Sequence, residues 1–364
     1  MTSSILECLS VIALRLFITL SLLLLSCLSS SLYINSCISD VGFQQELVPC
    51  TCEQAEGSWK CESAIEVDLE QKFQLARSYF GRRNVTTSEL HIHGILSRRM
   101  MIDVLNEGVF DNFIFTFDIA VTNTNLRLIH VNAFRTTAPT TRIINLGYNN
   151  LINSEDPDYD IFRVLRTFTS STNIDLQNNL LGYVPPNAFS GLKSLKIVKL
   201  TYNHIKTIGE NAFVSAPNII YVGLDSNKLS ELPSDFFNFK NSEDTLHLDL
   251  RMNRLHGESF PSLESLSRPL DLKLVKNNLT FIDESTFSTF LLSNPESTID
   301  VLYNHFECGC ELHWLFQNRN ELKHRVTNLY CPGGQSIWNW SLQDFSNCVH
   351  NEIMPSVHPL APSP

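Results

Sequence analysis

Few residues in this chain combine the type and the spacing that chemistry needs. His91 and His93, as His-x-His on a strand, would share one exposed face and could chelate a metal, but no third ligand stands near them. Glu155, Asp156, Asp158 and Asp160 concentrate charge as a calcium loop does, yet the stretch lacks that loop's Gly and terminal Glu. No Ser-His-Asp order, HExxH motif, Gly-rich phosphate loop or EF-hand loop occurs. An enzyme would have no residues to carry it, and neither cofactor nor metal is expected. Cysteine is the reactive side chain with an arrangement. Apart from Cys8 and Cys27 near the N-terminus, the cysteines form two groups of four: Cys37, Cys50, Cys52, Cys61, and Cys308, Cys310, Cys331, Cys348. An even count in an oxidising compartment reads as disulfides; zinc, the rival reading, lacks a second close Cys or His pair. Each Cys-x-Cys pair is too tight to bond to itself, which leaves two pairings per group. Asn84, Asn278 and Asn339 begin Asn-x-Ser/Thr and are candidate glycosylation sites.

The elements that position these residues recur. Two aliphatics at i and i+2, an Asn at i+5 and an apolar residue at i+7 read Ile144-x-Leu146-x-x-Asn149-x-Leu151, then repeat around Asn179, Asn203, Asn227, Asn253, Asn277 and Asn304. Two degenerate copies precede them, Ile119-x-Val121 with Thr124 at the Asn position, and Leu90-x-Ile92. The pattern resembles the leucine-rich repeat. Aliphatic-x-aliphatic is a short strand with one buried face. A coil of roughly 24 residues cannot bury that face alone, so coils stack and their strands join into one parallel sheet. The Asn amide is expected inside the turn, pairing backbone groups that would otherwise be unsatisfied. Phe134, Phe189, Phe213, Phe237 and Phe287 fall ten residues after an Asn or Thr position and are expected to fill the space behind the sheet. The fold class is therefore an α/β solenoid: a curved array with its parallel sheet on the concave face.

The ends set the compartment and the boundaries. Arg15 precedes an apolar run over 16–28, and Ser29, Ser30 and Ser31 follow, as in a secretory signal peptide cleaved after Ser31. A signal anchor extended through Leu32, Tyr33 and Ile34 is the alternative. The expected organisation is a signal at 1–31, an N-terminal cysteine-rich cap at 32–85, about nine repeats over 86–306, a C-terminal cap at 307–348 and a Pro-rich tail at 349–364. A net charge of −11 argues against a general polyanion binder, although a local basic patch remains compatible with it. Insertions lengthen two coils, at 154–160 and at 241–244, and loops of this kind are candidate contacts.

Binding is what these features leave. Residues between and after the paired aliphatics should line the concave face: Tyr148, Asp175, Tyr202, Tyr221, Asp225, Asp249, Arg251, Lys273, Lys276, Asp300 and Tyr303. Tyrosines among mixed charges suit protein recognition. The expected function is a secreted, extracellular, non-catalytic glycoprotein that binds a protein partner of unknown identity. The alternative is a cell-surface or matrix adhesion and signalling module, which would keep residues 1–31 or use a separate membrane partner.

The cysteine groups, with Pro49-Cys50-Thr51-Cys52 and Cys308-Gly309-Cys310-Glu311-Leu312-His313-Trp314-Leu315, resemble the flanking caps of extracellular leucine-rich repeat proteins. That resemblance implies the pairings Cys37–Cys52, Cys50–Cys61, Cys308–Cys331 and Cys310–Cys348. Glu46-Leu47-Val48 before Pro49, with Val109-Phe110, Asn132-Ala133-Phe134 and Thr298-Ile299-Asp300, further resembles the arthropod family that includes the large, non-catalytic subunit of the secreted Oplophorus luciferase. What that likeness implies is a secreted non-enzymatic subunit of an extracellular complex.

Overall fold

The computed structural model describes residues 41–53, 58–63, 68–80, 85–94, 102–240, 242–346 and 348. Residues 1–31, Cys37, Asn84 and the tail from 349 lie outside them. Twelve strands form one sheet whose spatial order follows the chain. They are β1 (Cys50–Glu53), β2 (Ser58–Ser63), β3 (Val85–Gly94), β4 (Phe113–Thr122), β5 (Ile143–Asn145), β6 (Asn173–Asp175), β7 (Ile197–Lys199), β8 (Tyr221–Gly223), β9 (Leu246–Asp249), β10 (Leu270–Lys273), β11 (Thr298–Asp300) and β12 (Val326–Thr327). The β1–β2 pair is antiparallel, and every later neighbour is parallel. The first aliphatic of each copy sits in register with the next, Ile144 against Ile174, Ile174 against Val198 and Val198 against Val222. All are buried, so a one-residue slip would expose a whole coil. This is the curved leucine-rich repeat solenoid expected above, with disulfide-bonded ends.

The repeated Asn is the internal fastener. In Asn203, Nδ2 donates to the carbonyls of Leu176 and Leu200, both at 3.0 Å, and Oδ1 accepts the Leu181 N–H at 3.1 Å. Asn179, Asn227, Asn253, Asn277 and Asn304 repeat that geometry, and Asn149 donates likewise but accepts the Thr124 N–H. Each amide thus pairs with its own coil and the preceding one. At the degenerate copy, Thr124 fills the Asn position and donates its hydroxyl to Asn149 Oδ1 at 2.7 Å.

Behind the sheet, Phe134, Phe189, Phe213, Phe237 and Phe287 are buried. Stacking runs Phe110–Phe134 at 5.1 Å, Phe189–Phe213 at 5.4 Å and Phe213–Phe239 at 6.1 Å. Helices α1 (Val41–Leu47) and α2 (Leu69–Phe80) belong to the N-terminal end; in the lengthened coil, Phe162 and Phe168 take over the filling role, on and just after α3 (Ile161–Leu165), which the insertion supplies. Two arginines, each just ahead of a strand, tie neighbouring coils by their carbonyls. Arg268, 1% exposed, donates to Asp244 O at 2.9 and 2.7 Å and to Ile219 O at 2.9 Å, which anchors the second insertion. Arg325 donates to Leu291, Asn294 and Ser297 and so completes the C-terminus of α4 (Glu284–Ser293), where carbonyls lack helical partners.

Both ends of the array are covered. At the N-terminal end Trp59 packs on Phe73 and Phe113, and the Cys50–Cys61 disulfide joins β1 to β2. At the other end, the Trp314 indole N–H donates to Ile282 O at 3.0 Å, and disulfides join Cys308 to Cys331 and Cys310 to Cys348. Cys52 is also disulfide-bonded, and the expected pair Cys37–Cys52 has its first member outside the described residues. Among the described residues, no helix is long and apolar enough to cross a membrane.

Candidate functional site

Each three- or four-residue strand buries its central aliphatics and turns the flanking side chains to the open face of the sheet. Asp175, Asp249, Lys273 and Asp300 end their strands there, Tyr221 begins β8, and Asp225 and Arg251 lie two residues beyond β8 and β9. Tyr148, Tyr202 and Tyr303 sit elsewhere. They stand three residues past the ends of β5, β7 and β11 with φ of 59°, 52° and 57°, in a left-handed turn shared with Lys276 at 57°. The chain must turn there to carry the next Asn inward, and the residue before it takes the positive φ. These tyrosines therefore line the rim and are among the most exposed aromatics, Tyr303 at 65%. Lys276 Nζ lies 5.8 Å from the centre of the Tyr303 ring.

Five of the expected residues, Tyr221, Asp249, Arg251, Lys273 and Asp300, converge with His247, Asp271, Val275 and Leu302 on a depression of about 500 Å³ over β8 to β11. Its polar side chains hold one another in place. Arg251 makes a two-pronged contact with Asp249, Nε to Oδ1 at 2.8 Å and Nη2 to Oδ2 at 2.5 Å. This contact pushes the guanidinium well above its ordinary pKa. Asp271 receives Lys273 at 3.0 Å, His247 at 3.1 Å and the Thr298 hydroxyl at 2.9 Å. Burial alone would raise the Asp271 pKa, but these hydrogen bonds together outweigh it and hold the carboxyl below the ordinary range. Asp225 accepts the Thr201 hydroxyl at 2.6 Å, and Lys199 approaches Asp175 at 3.5 Å.

Tyr221 lies flat because the residue two positions on is Gly223. A Cβ on Gly223 would stand 3.0 Å from the ring and 3.1 Å from its hydroxyl. Burial, then Asp249 and Asp225, push the phenol above its ordinary pKa. His247, Asp271 and Gly223 were absent from the sequence-derived face. The available signal was position: His247 and Asp271 precede their paired aliphatics as Tyr221 does.

The other candidate residues do structural work. His91 Nε2 lies 3.1 Å from Asp118 Oδ2, with Glu89 at 3.7 Å, and His93 Nδ1 lies 2.7 Å from Thr122 Oγ1. The hydrogen bond to Asp118 is the main reason the His91 pKa is raised. In the acidic insertion, Asp156 and Asp160 accept the N–H groups of Asp158 and Phe162, both at 2.9 Å, and so cap a short 3-10 turn and α3. Among the described residues, no group of three or more His, Cys, Asp or Glu side chains is placed to hold a metal. Asn278 and Asn339 are exposed, and Asn84 is not described.

Residues 171–229 match the family model described as leucine rich repeat. Rat (Rattus norvegicus) Tsukushi is 32% identical over 103 residues, covering 28% of this chain and 29% of that protein. Human lumican is 28% identical over 176 residues, covering 43% and 51%. The chain thus spans under a third of Tsukushi and about half of lumican. Among solved structures, human 5T4 aligns with 82% of this chain and 97% of its own, at 18% identity and a TM-score of 0.46.

Proposed function

We propose that this leucine-rich repeat protein, homologous in its repeats to Tsukushi and lumican, is an extracellular, non-catalytic protein that binds a protein partner through the open face of its sheet. The observation that carries this reading is the depression over β8 to β11. A tyrosine and an arginine, the residue types that dominate binding hot spots, stand there already oriented by Gly223 and Asp249. Groups fixed before binding lose little side-chain entropy on complex formation. Val275 and Leu302 add half-buried apolar surface beside them. Tsukushi and lumican are secreted or matrix proteins, which agrees with the signal-like N-terminus and the disulfide-bonded ends. The luciferase-subunit resemblance adds a narrower expectation, a smaller protein held in fixed ratio, and the surface alone carries the reading.

The test is the native mass. Protein isolated from its source's extracellular fluid is measured by light scattering against the deglycosylated chain mass, and co-eluting chains are identified. A protein in constant ratio is expected, with its retention lost on Tyr221→Ala combined with Arg251→Ala while the melting temperature holds. A lone monomer would overturn the subunit reading, and retention unchanged in the double variant would overturn the placement of the face.

A further inference from the structure

On a chain of net charge −11, one stretch of flank is basic. In each coil, the residues on either side of the apolar residue two places after the Asn point outward, because that apolar residue is buried. His204 and Lys206 bracket Ile205, Lys228 and Ser230 bracket Leu229, and Arg254 and His256 bracket Leu255. The backbone fixes how they stack: the Lys228 N–H donates to Ile205 O and the Arg254 N–H to Leu229 O, both at 2.8 Å. Those bonds put Lys228 and Arg254 in the column of His204, while Lys206 lies two residues further along, in the column of Ser230 and His256. At about 4.8 Å per coil and about 6.8 Å per two residues, Lys206, Lys228 and Arg254 make an oblique strip roughly 12 Å long, one cation per coil. Among the described residues, none of the three is ion-paired. The cations of the sheet face differ, since Lys199, Arg251 and Lys273 each hold an aspartate.

We infer that this strip binds a linear sulfated polysaccharide. Its width decides the ligand. Carboxylates follow it closely, Glu231 after Ser230 and Glu258 after His256, both exposed, and Asp225 and Asp249 lie on the sheet side. A flat anionic surface would meet those carboxylates as well as the cations, whereas a narrow polyanion lies between them. Sulfate groups along a sugar chain supply charges at intervals that successive coils can match, and Arg254 offers the planar fork that suits such an oxyanion. The choice of polysaccharide over nucleic acid rests on the extracellular compartment proposed above. The strip itself is separate from the partner-binding face, so either site can fail without the other.

The intact protein is titrated with a heparin octasaccharide at several salt concentrations. Affinity that falls log-linearly with salt is expected, as displaced counterions require. Lys206→Gln, Lys228→Gln and Arg254→Gln together should lower it at least tenfold. Lys193→Gln, Lys196→Gln and Lys323→Gln, at exposed sites elsewhere, should change it less than twofold. Retained melting temperatures show that both triple variants are folded. Absence of binding at low salt, equal losses in the two triple variants, or equal binding of the desulfated octasaccharide would each overturn the proposal. So would vesicles of phosphatidylserine and phosphatidylcholine that bind as tightly as heparin and are lost with the first triple variant, since the strip would then serve a membrane.

Discussion

Replacing Asn203 by Leu isolates the fastener of one coil. The side chains share one branched skeleton of four heavy atoms, and Asn203 is 4% exposed, so the change is chiefly one of hydrogen bonding. The two carbonyls it serves keep a second donor each, Leu176 O from Asn179 at 3.0 Å and Leu200 O from Asn227 at 2.9 Å. The Leu181 N–H has no such substitute; Asn203 Oδ1 is its partner. Orphaning that buried amide costs about 1–3 kcal/mol, and each lost carbonyl bond about 0.5–1.5 kcal/mol. The added apolar burial of Leu returns about 1–2 kcal/mol, so the middle of these ranges leaves a net loss of about 2.5 kcal/mol. At roughly 2–4 °C per kcal/mol for domains of 150–250 residues, and toward the lower end for a longer chain, the melting temperature should fall by about 4–8 °C. Calorimetry of Asn203→Leu beside His204→Leu makes the comparison, since His204 is the exposed next residue. A shift under 1 °C for both would refute the assignment of the amide to coil-to-coil pairing. Equal falls in both would instead point to the introduced leucine.

Three further outcomes are expected. Gly209→Ala should destabilise by about 1–3 kcal/mol in urea unfolding, because its Cβ would lie 2.3 Å from Pro186 N and 2.8 Å from Pro185 C, backbone atoms that cannot swing aside. Arg268→Met should leave the carbonyls of Asp244 and Ile219 without the guanidinium and speed limited proteolysis near 242–244 several-fold, with mapped cut sites as the readout. His91→Gln should flatten the pH dependence of stability. A folded pKa raised above 6.5 gives stabilisation that is full below pH 6.5 and disappears as pH rises through the folded value, so the wild-type urea midpoint should drop over that window more than the variant's.

How much was legible in the sequence follows from what each residue answers to. The strands were legible because the aliphatic-x-aliphatic period of two is a local consequence of a half-buried chain, and the Asn positions because each amide must bridge backbone groups of two neighbouring coils. The phenylalanines were legible only where the ten-residue offset survives. Phe110, Phe162 and Phe168 answer instead to space left by irregular coils, which no fixed offset records. The acidic insertion looked like a cation site because charge is visible in sequence and capping geometry is not; two of its aspartates cap helical turns. The basic line across Lys206, Lys228 and Arg254 was hidden for the opposite reason, since a net charge averages over faces that the solenoid keeps apart.

Gly223 shows how a site residue escapes a reading based on side chains. It contributes none, and its effect lies in the absence of a Cβ beneath Tyr221. With alanine at 223, that Cβ would stand 3.0 Å from the ring, closer than ordinary contact, so the ring must lift from the sheet by a few tenths of an ångström. Valine would lift it further. The backbone at 223 is not in the left-handed region, so the substitution tests contact rather than backbone strain. Lifting should expose a phenol now half-buried between Asp225 and Asp249, and nitration by tetranitromethane, followed at Tyr221 by peptide mass spectrometry, should rise several-fold in Gly223→Val. The Arg251–Asp249 pair stands apart from the ring's lift and should persist, so binding through the depression should weaken without global unfolding. Unchanged nitration at Tyr221 in a folded Gly223→Val protein would mean that the ring already moves freely, and the depression would then lack the fixed aromatic on which the proposed partner binding rests.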